Sequence, residues 1–535
     1  MRIIAHAAPV ALTLVLALPV AAGLGLTLMS CIPAIPTVLA WPGLPRACLL
    51  SLLPGLAATT LSVLLVLLIL ARRPPAFALL QRLLAPLLAL PHAASALGLA
   101  FLVAPSGWIA RAVSPWLTGW QSPPDLMTLN DPWGLALTLG LVLKETPFLL
   151  LVALPAVSRP MLTRQLVART LGRSDASAFV LAVWPALYPQ LRLPILAVLV
   201  YAMTNVDMAL ILGPTLPHPL AVQISLWMTD PSLSHQSEAA AAALLQLALV
   251  GVAVALWRGL EAAAATLIRC TTSGFPSLLA WGLTPLATLT TLILSLTPAL
   301  GLISLALWSI AGLWPFPNFL PQSYSPTVWT RAAPALLQAS ATTVTLALTA
   351  TATALMLAIA ALQAEVPRRR LLDRLIYMPL ILPQVAFLPG IARALIWAPM
   401  PPLLAVTLAH LVFVLPYVFL SIAGPFRAWD TKLAAVAATL GAHPLRILTT
   451  LRLPMLAPAL AAAAAIGVAV SVGQYLPTLL LGGGRVTTLT TEAVALSSGA
   501  NRRITGAYAL MQALWPELAF AAALRVGRRP GVKSR

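Results

Sequence analysis

Apolar runs broken by Arg or Pro clusters divide the chain into twelve stretches, about 8–30, 52–71, 83–104, 134–157, 193–213, 238–257, 280–310, 334–362, 375–397, 403–424, 456–481 and 504–525. Each is near the roughly 20 residues a helix needs to cross a bilayer. The first follows Arg2 and runs into Ala21-Ala22-Gly23, as a cleaved signal would. Its apolar core exceeds about 20 residues, which favours an uncleaved span. The pattern predicts an all-α polytopic membrane protein with about 12 transmembrane helices.

Composition narrows this further. The chain has 535 residues, of which 60% are apolar and 8% charged, and its mean hydropathy is +0.94. That excludes a soluble multidomain enzyme and leaves no room for a large extramembrane domain. With the N-terminus inside, the inner segments hold 24 of the 32 basic and five of the 13 acidic residues, so the whole net charge of +19 lies on one face. Basic tracts such as Arg368-Arg369-Arg370 therefore read as topology anchors near anionic lipid, not as a nucleic-acid footprint. Both termini are expected in the cytosol. Cys31 and Cys48 fall in one predicted outer loop, where they could pair in an oxidising compartment, and no cysteine has metal-ligand spacing.

The chain carries an internal duplication. A shift of 269 residues superposes Pro147 on Pro416, Thr170-Leu171-Gly172 on Thr439-Leu440-Gly441, Pro185 and Pro189 on Pro454 and Pro458, and Leu212-Gly213 on Leu481-Gly482. The Gly and Pro coincidences carry the weight, since Leu and Ala matches come cheaply in such a chain. Upstream, Pro91-His92 matches Pro383-Gln384 only if the first half holds 23 extra residues, most simply in loop 105–133. Six spans per half give two parallel repeats, 1–270 and 271–535, about an axis normal to the membrane, with the solute pathway between them.

The longest inner loops lie between the fourth and fifth spans of each half. Each copy has a small-residue helical run, a glycine (Gly172, Gly441), then a proline (Pro185, Pro454) thirteen residues on that opens the next span. No Walker lysine loop, paired carboxylates, Cys/His cluster or Ser-His-Asp order is present, so neither catalysis nor a cofactor is expected.

These loops resemble the cytosolic signature of ATP-binding-cassette importer permeases: E-A-A, three residues, G, nine residues, then I-x-L-P. Gly441 with Leu451-Arg452-Leu453-Pro454 fits one copy, and Gly172 with Ala182-Val183-Trp184-Pro185 fits the other more poorly. The signature glutamate is Ala435 or Leu166 instead, while the helix itself is kept. Over most of its length the chain resembles fused pairs of six-span permeases such as those of thiamine and ferric-iron importers. The stretch from Ser471 to Arg485 is most similar to Ynj-type permeases. The resemblance implies that Leu171, Gly172, Pro185, Leu440, Gly441, Leu453 and Pro454 belong to coupling helices seated on separate cytosolic ATPase subunits, a homodimer. It also implies a periplasmic binding protein that delivers solute at the bacterial inner membrane.

Ionisable residues within spans are costly and default to functional hypotheses. Lys144, Glu145, Asp207, Arg393 and Glu517 are such residues, with pairing across helices as the plainer reading. Asn205 with neighbouring Asp207, and Gln474 with neighbouring Tyr475, are pathway candidates because the repeat aligns the two amides. His92 and Gln384, after equivalent prolines, form a second pair, although a lone His is more often a packing residue. Trp108, Trp116, Trp120 and Trp133 read as interfacial anchors, or as a binding-protein contact. An ion-coupled twelve-span carrier remains the rival reading. It would place its strongest motif between spans two and three, where this chain has only Ala71-Arg72-Arg73-Pro74-Pro75. A membrane scaffold without transport would lack two-fold aligned polar residues.

Overall fold

The computed structural model describes residues 2–270, 277–364, 376–499 and 501–527. The basic tract 368–370 and the last basic residues, 528 onward, lie outside the described residues, as does the predicted junction between the halves. Apart from one isolated bridge between Ala311 and Tyr324, the described chain is helix and loop. The first half comprises α1 (Arg2–Cys31), α2 (Leu44–Arg72), α3 (Phe77–Ala89), α4 (His92–Val103), α5 (Leu135–Ala156), α6 (Arg159–Thr170), α7 (Trp184–Thr204), α8 (Asp207–Leu212), α9 (Leu220–Thr229) and α10 (Leu233–Cys270). The second comprises α11 (Ser277–Ile310), α12 (Thr327–Gln363), α13 (Gln384–Trp397), α14 (Pro402–Arg427), α15 (Thr431–Thr439), α16 (Ala457–Val472), α17 (Leu476–Gly482), α18 (Leu489–Ser497) and α19 (Arg502–Gly527).

Among the described residues ten helices are long and apolar enough to cross a membrane, or eleven if the pair Pro444–Met455 and Ala457–Val472, bent by 77°, counts as one span. The all-α polytopic class is seen, and within the ninth predicted stretch, 375–397, described from residue 376, the helix is interrupted. That run is split at Leu382-Pro383, and α13 has only 14 residues. The predicted third span splits likewise, at Leu90-Pro91, where Leu90 adopts an extended backbone. Proline lacks an N–H and pushes the preceding residue out of the α region, so both breaks sit where the sequence puts Pro.

The first helix of each half crosses to the other half. α1 packs on α13, α12 and α10, while α11 packs on α4, α3 and α19. Glycines permit both crossings. A Cβ on Gly98 would lie 3.1 Å from the Gly301 Cα, and one on Gly390 would overlap the Gly23 carbonyl. Gly390 N–H also donates to Thr27 Oγ1 at 3.1 Å. Gly98 and Gly390 occupy matching places, each six residues beyond the first residue of α4 or α13. A second copied contact fastens the short helices: Leu220 N–H donates to Ser51 Oγ at 2.9 Å, and Leu489 N–H to Thr343 Oγ1 at 3.0 Å. One continuous apolar core runs through both halves, from Val20 to Ala509.

Candidate functional site

Each half presents one compact knob between two of its long helices. α6 and α15 are followed by Leu171-Gly172 and Leu440-Gly441, with Gly172 at φ 83° and Gly441 at φ 79°. Gly172 N–H donates to Arg169 O at 2.9 Å and Arg173 N–H to Ala168 O at 3.2 Å; Gly441 and Ala442 repeat the pattern onto Ala438 and Ala437 at 3.0 Å each. This paired closure of a helix end needs a left-handed residue, which is why glycine stands there. A short helix follows (Asp175–Ala178, Pro444–Ile447), then a π-helical turn (Phe179–Val183, Leu448–Arg452). Both π turns fall in the same register, and such turns recur at functional sites.

The two knobs are anchored by different chemistry. In the first, Glu261 on α10 accepts from Tyr188 Oη at 2.8 Å and pairs with Arg192 at 3.2 Å, locking α7 to α10. In the second, Arg452 donates to Phe426 O at 2.7 Å and Gln363 Oε1 at 2.8 Å, and its guanidinium lies 3.6 Å from the Phe426 ring centroid. Pro185 opens α7 as expected. Pro454 opens only the turn Leu453–Met455, after which the chain bends into α16.

Each knob carries a pair of exposed apolar side chains at i and i+4. Leu171 is 79% and Leu440 83% exposed, and Val167 and Val436 beside them are 54% and 59% exposed. The two valines were not among the sequence candidates. Their signal was available: an apolar residue four positions before an exposed leucine, repeated at the same spacing in both copies.

The helices rising from the knobs both break in mid-course. α7 stops at Thr204 and α8 restarts at Asp207; α16 stops at Val472 and α17 restarts at Leu476, in the register of the 269-residue repeat. At the first break Asn205 Oδ1 accepts the Met208 N–H at 2.8 Å, capping α8, while its amide donates to Asp207 Oδ1 at 2.9 Å. The exposed helix-end carbonyls are met by buried side chains: Gln246 Nε2 donates to Met203 O at 3.1 Å, and Thr490 Oγ1 donates to Val472 O, the equivalent atom. Gln512 Nε2 in turn donates to Thr490 at 2.8 Å. Hydrocarbon offers no water to a broken helix, so such carbonyls need internal donors.

At the second break the fully buried His410 clamps both half-helices. Thr478 Oγ1 donates to Gln474 O at 2.7 Å, so it accepts from His410 Nε2 at 2.8 Å, and Nδ1 accepts from Ser471 at 2.8 Å. His410 was not singled out in the sequence, where the repeat pairs it with Leu141. Lys144 is also structural: its Nζ donates to the carbonyls of Leu87 (2.9 Å), Leu88 (3.3 Å) and Leu90 (2.5 Å), capping the end of α3.

Asn205 and Asp207 are brought together with His92, Tyr201 and Glu145. His92 Nε2 lies 3.5 Å from Glu145 Oε1, and its ring is 4.7 Å from that of Tyr201. Tyr475 stands within electrostatic reach of Asp207. Gln474 and Gln384 are half-buried.

The two breaks are covered by elements crossing between halves: α8 meets α18, α9 meets α17 and α13, and α18 meets α4. Arg111, 3% exposed, joins the long first-half loop to the second half by donating to the carbonyls of Trp314, Pro315 and Asn318 at 2.9–3.2 Å. Trp108 stacks on Phe319 at 5.4 Å, while Trp116 and Trp133 remain exposed. A cavity of about 510 Å³ opens among α1, α13, α17 and the α9–α10 turn, lined in part by Asp230 and Arg393. The backbone N–H of Ser232 and the neighbouring His235 hold the Asp230 carboxyl below the usual range. The pathway candidates do not line this cavity. Cys31 and Cys48 are both free.

Residues 350–524 match the family described as binding-protein-dependent transport system inner membrane component. Over 500 residues the chain is 31% identical to the inner membrane ABC transporter permease protein YnjC of Escherichia coli (strain K12), an alignment that covers 92% of this chain and 89% of that protein.

Proposed function

The chain belongs to the binding-protein-dependent ABC permeases, multi-pass inner-membrane subunits that form the solute pathway of an importer and work with an ATPase and a solute-binding protein, and we propose how its own residues divide that task. Residues 1–270 and 271–535 act as two permease domains related by an axis normal to the membrane. Both knobs, and both termini, face the cytosol. Leu171 with Val167, and Leu440 with Val436, seat in matching grooves of two identical ATPase subunits. Pro185, Leu453 and Pro454 set the direction in which each knob feeds the helix above it.

The observation that carries this reading is the repeated knob: the same left-handed glycine, the same π turn and the same exposed pair at one spacing, below two helices that break in one register. Glu261 and Arg452 clamp the knobs to the bundle, so a push on a knob moves the inner end of α7 or α16 as a lever. The outer ends, beyond the breaks, are held by cross-half packing of α8, α9, α17 and α18. Closure of the ATPases would then rock the inner segments about Asn205 and Gln474, with Asp207, Tyr475, His92 and Gln384 around the path.

Reporter fusions test the orientation on which this depends. An enzyme active only in the periplasm, fused after Arg173 or Arg446, is silent on this reading, and activity at either site refutes it. Co-isolation of ATPase subunits with the intact chain, lost when both knobs are altered, tests the docking.

A further inference from the structure

The repeat aligns amides at the two helix breaks, but the charge there is one-sided. Glu145 and Asp207, both in the first half, are 5% and 6% exposed. Their second-half counterparts are Val414 and Leu476. Asp207 is partnered by Asn205. Glu145 Oε1 is buried, accepts no hydrogen bond, and faces the imidazole of His92 at 3.5 Å. The neighbouring Lys144 does not satisfy it, because its ammonium is bound to three carbonyls and also shares its field with Glu517.

A buried carboxyl group in a membrane interior is costly unless something of opposite charge or a water-filled path meets it. Three candidates for that partner can be compared. An anion is disfavoured by two acids, and the N-terminal end of α8 is already capped by Asn205 and occupied by Asp207. A metal ion lacks ligands, since no cluster of three His, Cys, Asp or Glu side chains suited to one occurs among the described residues. An organic cation fits: both acids belong to one buried cluster with Tyr201, whose hydroxyl meets the Asn205 amide and whose ring lies 4.7 Å from that of His92, and Tyr417 and Tyr475 feel the fields of Glu145 and Asp207. Tyrosine rings attract ammonium groups through their faces, and Tyr417 and Tyr475 come from the second half.

We propose that the pathway at the two helix breaks takes a solute bearing an ammonium group, which Glu145 and Asp207 hold from the first half and Tyr417 and Tyr475 flank from the second. This rests on the permease reading above, and on the break region lining the path.

The test uses the full chain with its ATPase subunits in lipid nanodiscs, carrying Gln474→Cys with Cys31→Ser, Cys48→Ser and Cys270→Ser. Its reaction rates with trimethylammonium-ethyl and sulfonato-ethyl methanethiosulfonate are each divided by the rate with a free thiol. In both reactions the thiolate attacks the reagent's sulfur, forming a mixed disulfide and releasing a sulfinate. Two nearby carboxylates predict a preference of about tenfold for the cationic reagent. Glu145→Gln with Asp207→Asn should abolish it, and tetramethylammonium, but not sulfate, should slow the labelling. A normalised ratio of one or less with both acids present, or one unchanged by the double substitution, overturns the proposal and leaves the pathway standing. Inertness to both reagents in every nucleotide state overturns the pathway assignment as well.

Discussion

Leu440→Ser combined with Leu171→Ser separates docking from folding. Both side chains are about four-fifths exposed in the isolated chain, at 83% and 79%, so their removal costs the bundle almost nothing. Burying a leucine side chain contributes about 1.5–3 kcal/mol, and a groove that covers these two would lose about 2 kcal/mol per knob. At about 1.4 kcal/mol per factor of ten, one substitution weakens ATPase binding about 30-fold. The knobs are separate sites, so the double variant should lose about 4 kcal/mol, roughly a thousandfold. The assay is titration of purified ATPase onto the chain in nanodiscs, with size-exclusion profiles and thermal unfolding as controls for the fold. A double variant that binds ATPase as the wild type does would refute the assignment of these leucines. A double variant that fails to fold would refute the claim that they stand free of the core.

Gly172→Ala and Gly441→Ala each force a Cβ into the left-handed region at an open site, costing about 1 kcal/mol and loosening each knob about fivefold; ATP-driven uptake should fall while expression holds, and Asn at the same positions should restore part of it. Lys144→Met leaves three carbonyls at the end of α3 without a donor, and an unfolding free energy lower by about 2–4 kcal/mol should appear in detergent melts. Gly390→Leu should prevent α1 from crossing to α13 and cut the yield of folded protein, whereas Gly25→Leu, where a Cβ meets nothing within 4 Å, should not.

Hydropathy made the helical class legible, because twenty apolar residues in a row leave little else to build. The knobs were legible for a different reason: Gly and Pro at fixed offsets dictate a turn locally, and two copies in one register make chance a poor explanation. The amides at 205 and 474 were found through that same offset, although hydropathy alone ran straight through both breaks. The broken helices show where such reasoning stops. A proline within an apolar run can bend a helix or end it, and Pro147 and Pro416 stay inside α5 and α14 while Pro91 and Pro383 interrupt their runs. Which outcome follows depends on partners far along the chain, such as Lys144 meeting the carbonyls before Pro91. The exchange of α1 and α11 between halves was equally invisible, since it rests on close approach of glycines some 200 to 370 residues apart.

If the two helix breaks line the solute path, access to them follows the nucleotide state of the ATPases. Cysteines at 205 and 474, in the cysteine-free chain with its ATPase subunits in nanodiscs, report this directly through labelling by a small neutral thiol reagent. Both positions should react, and their rates should change together between the nucleotide-free and ATP-bound complexes. Two cysteines that stay inert in both states, in a complex that still transports, would contradict it.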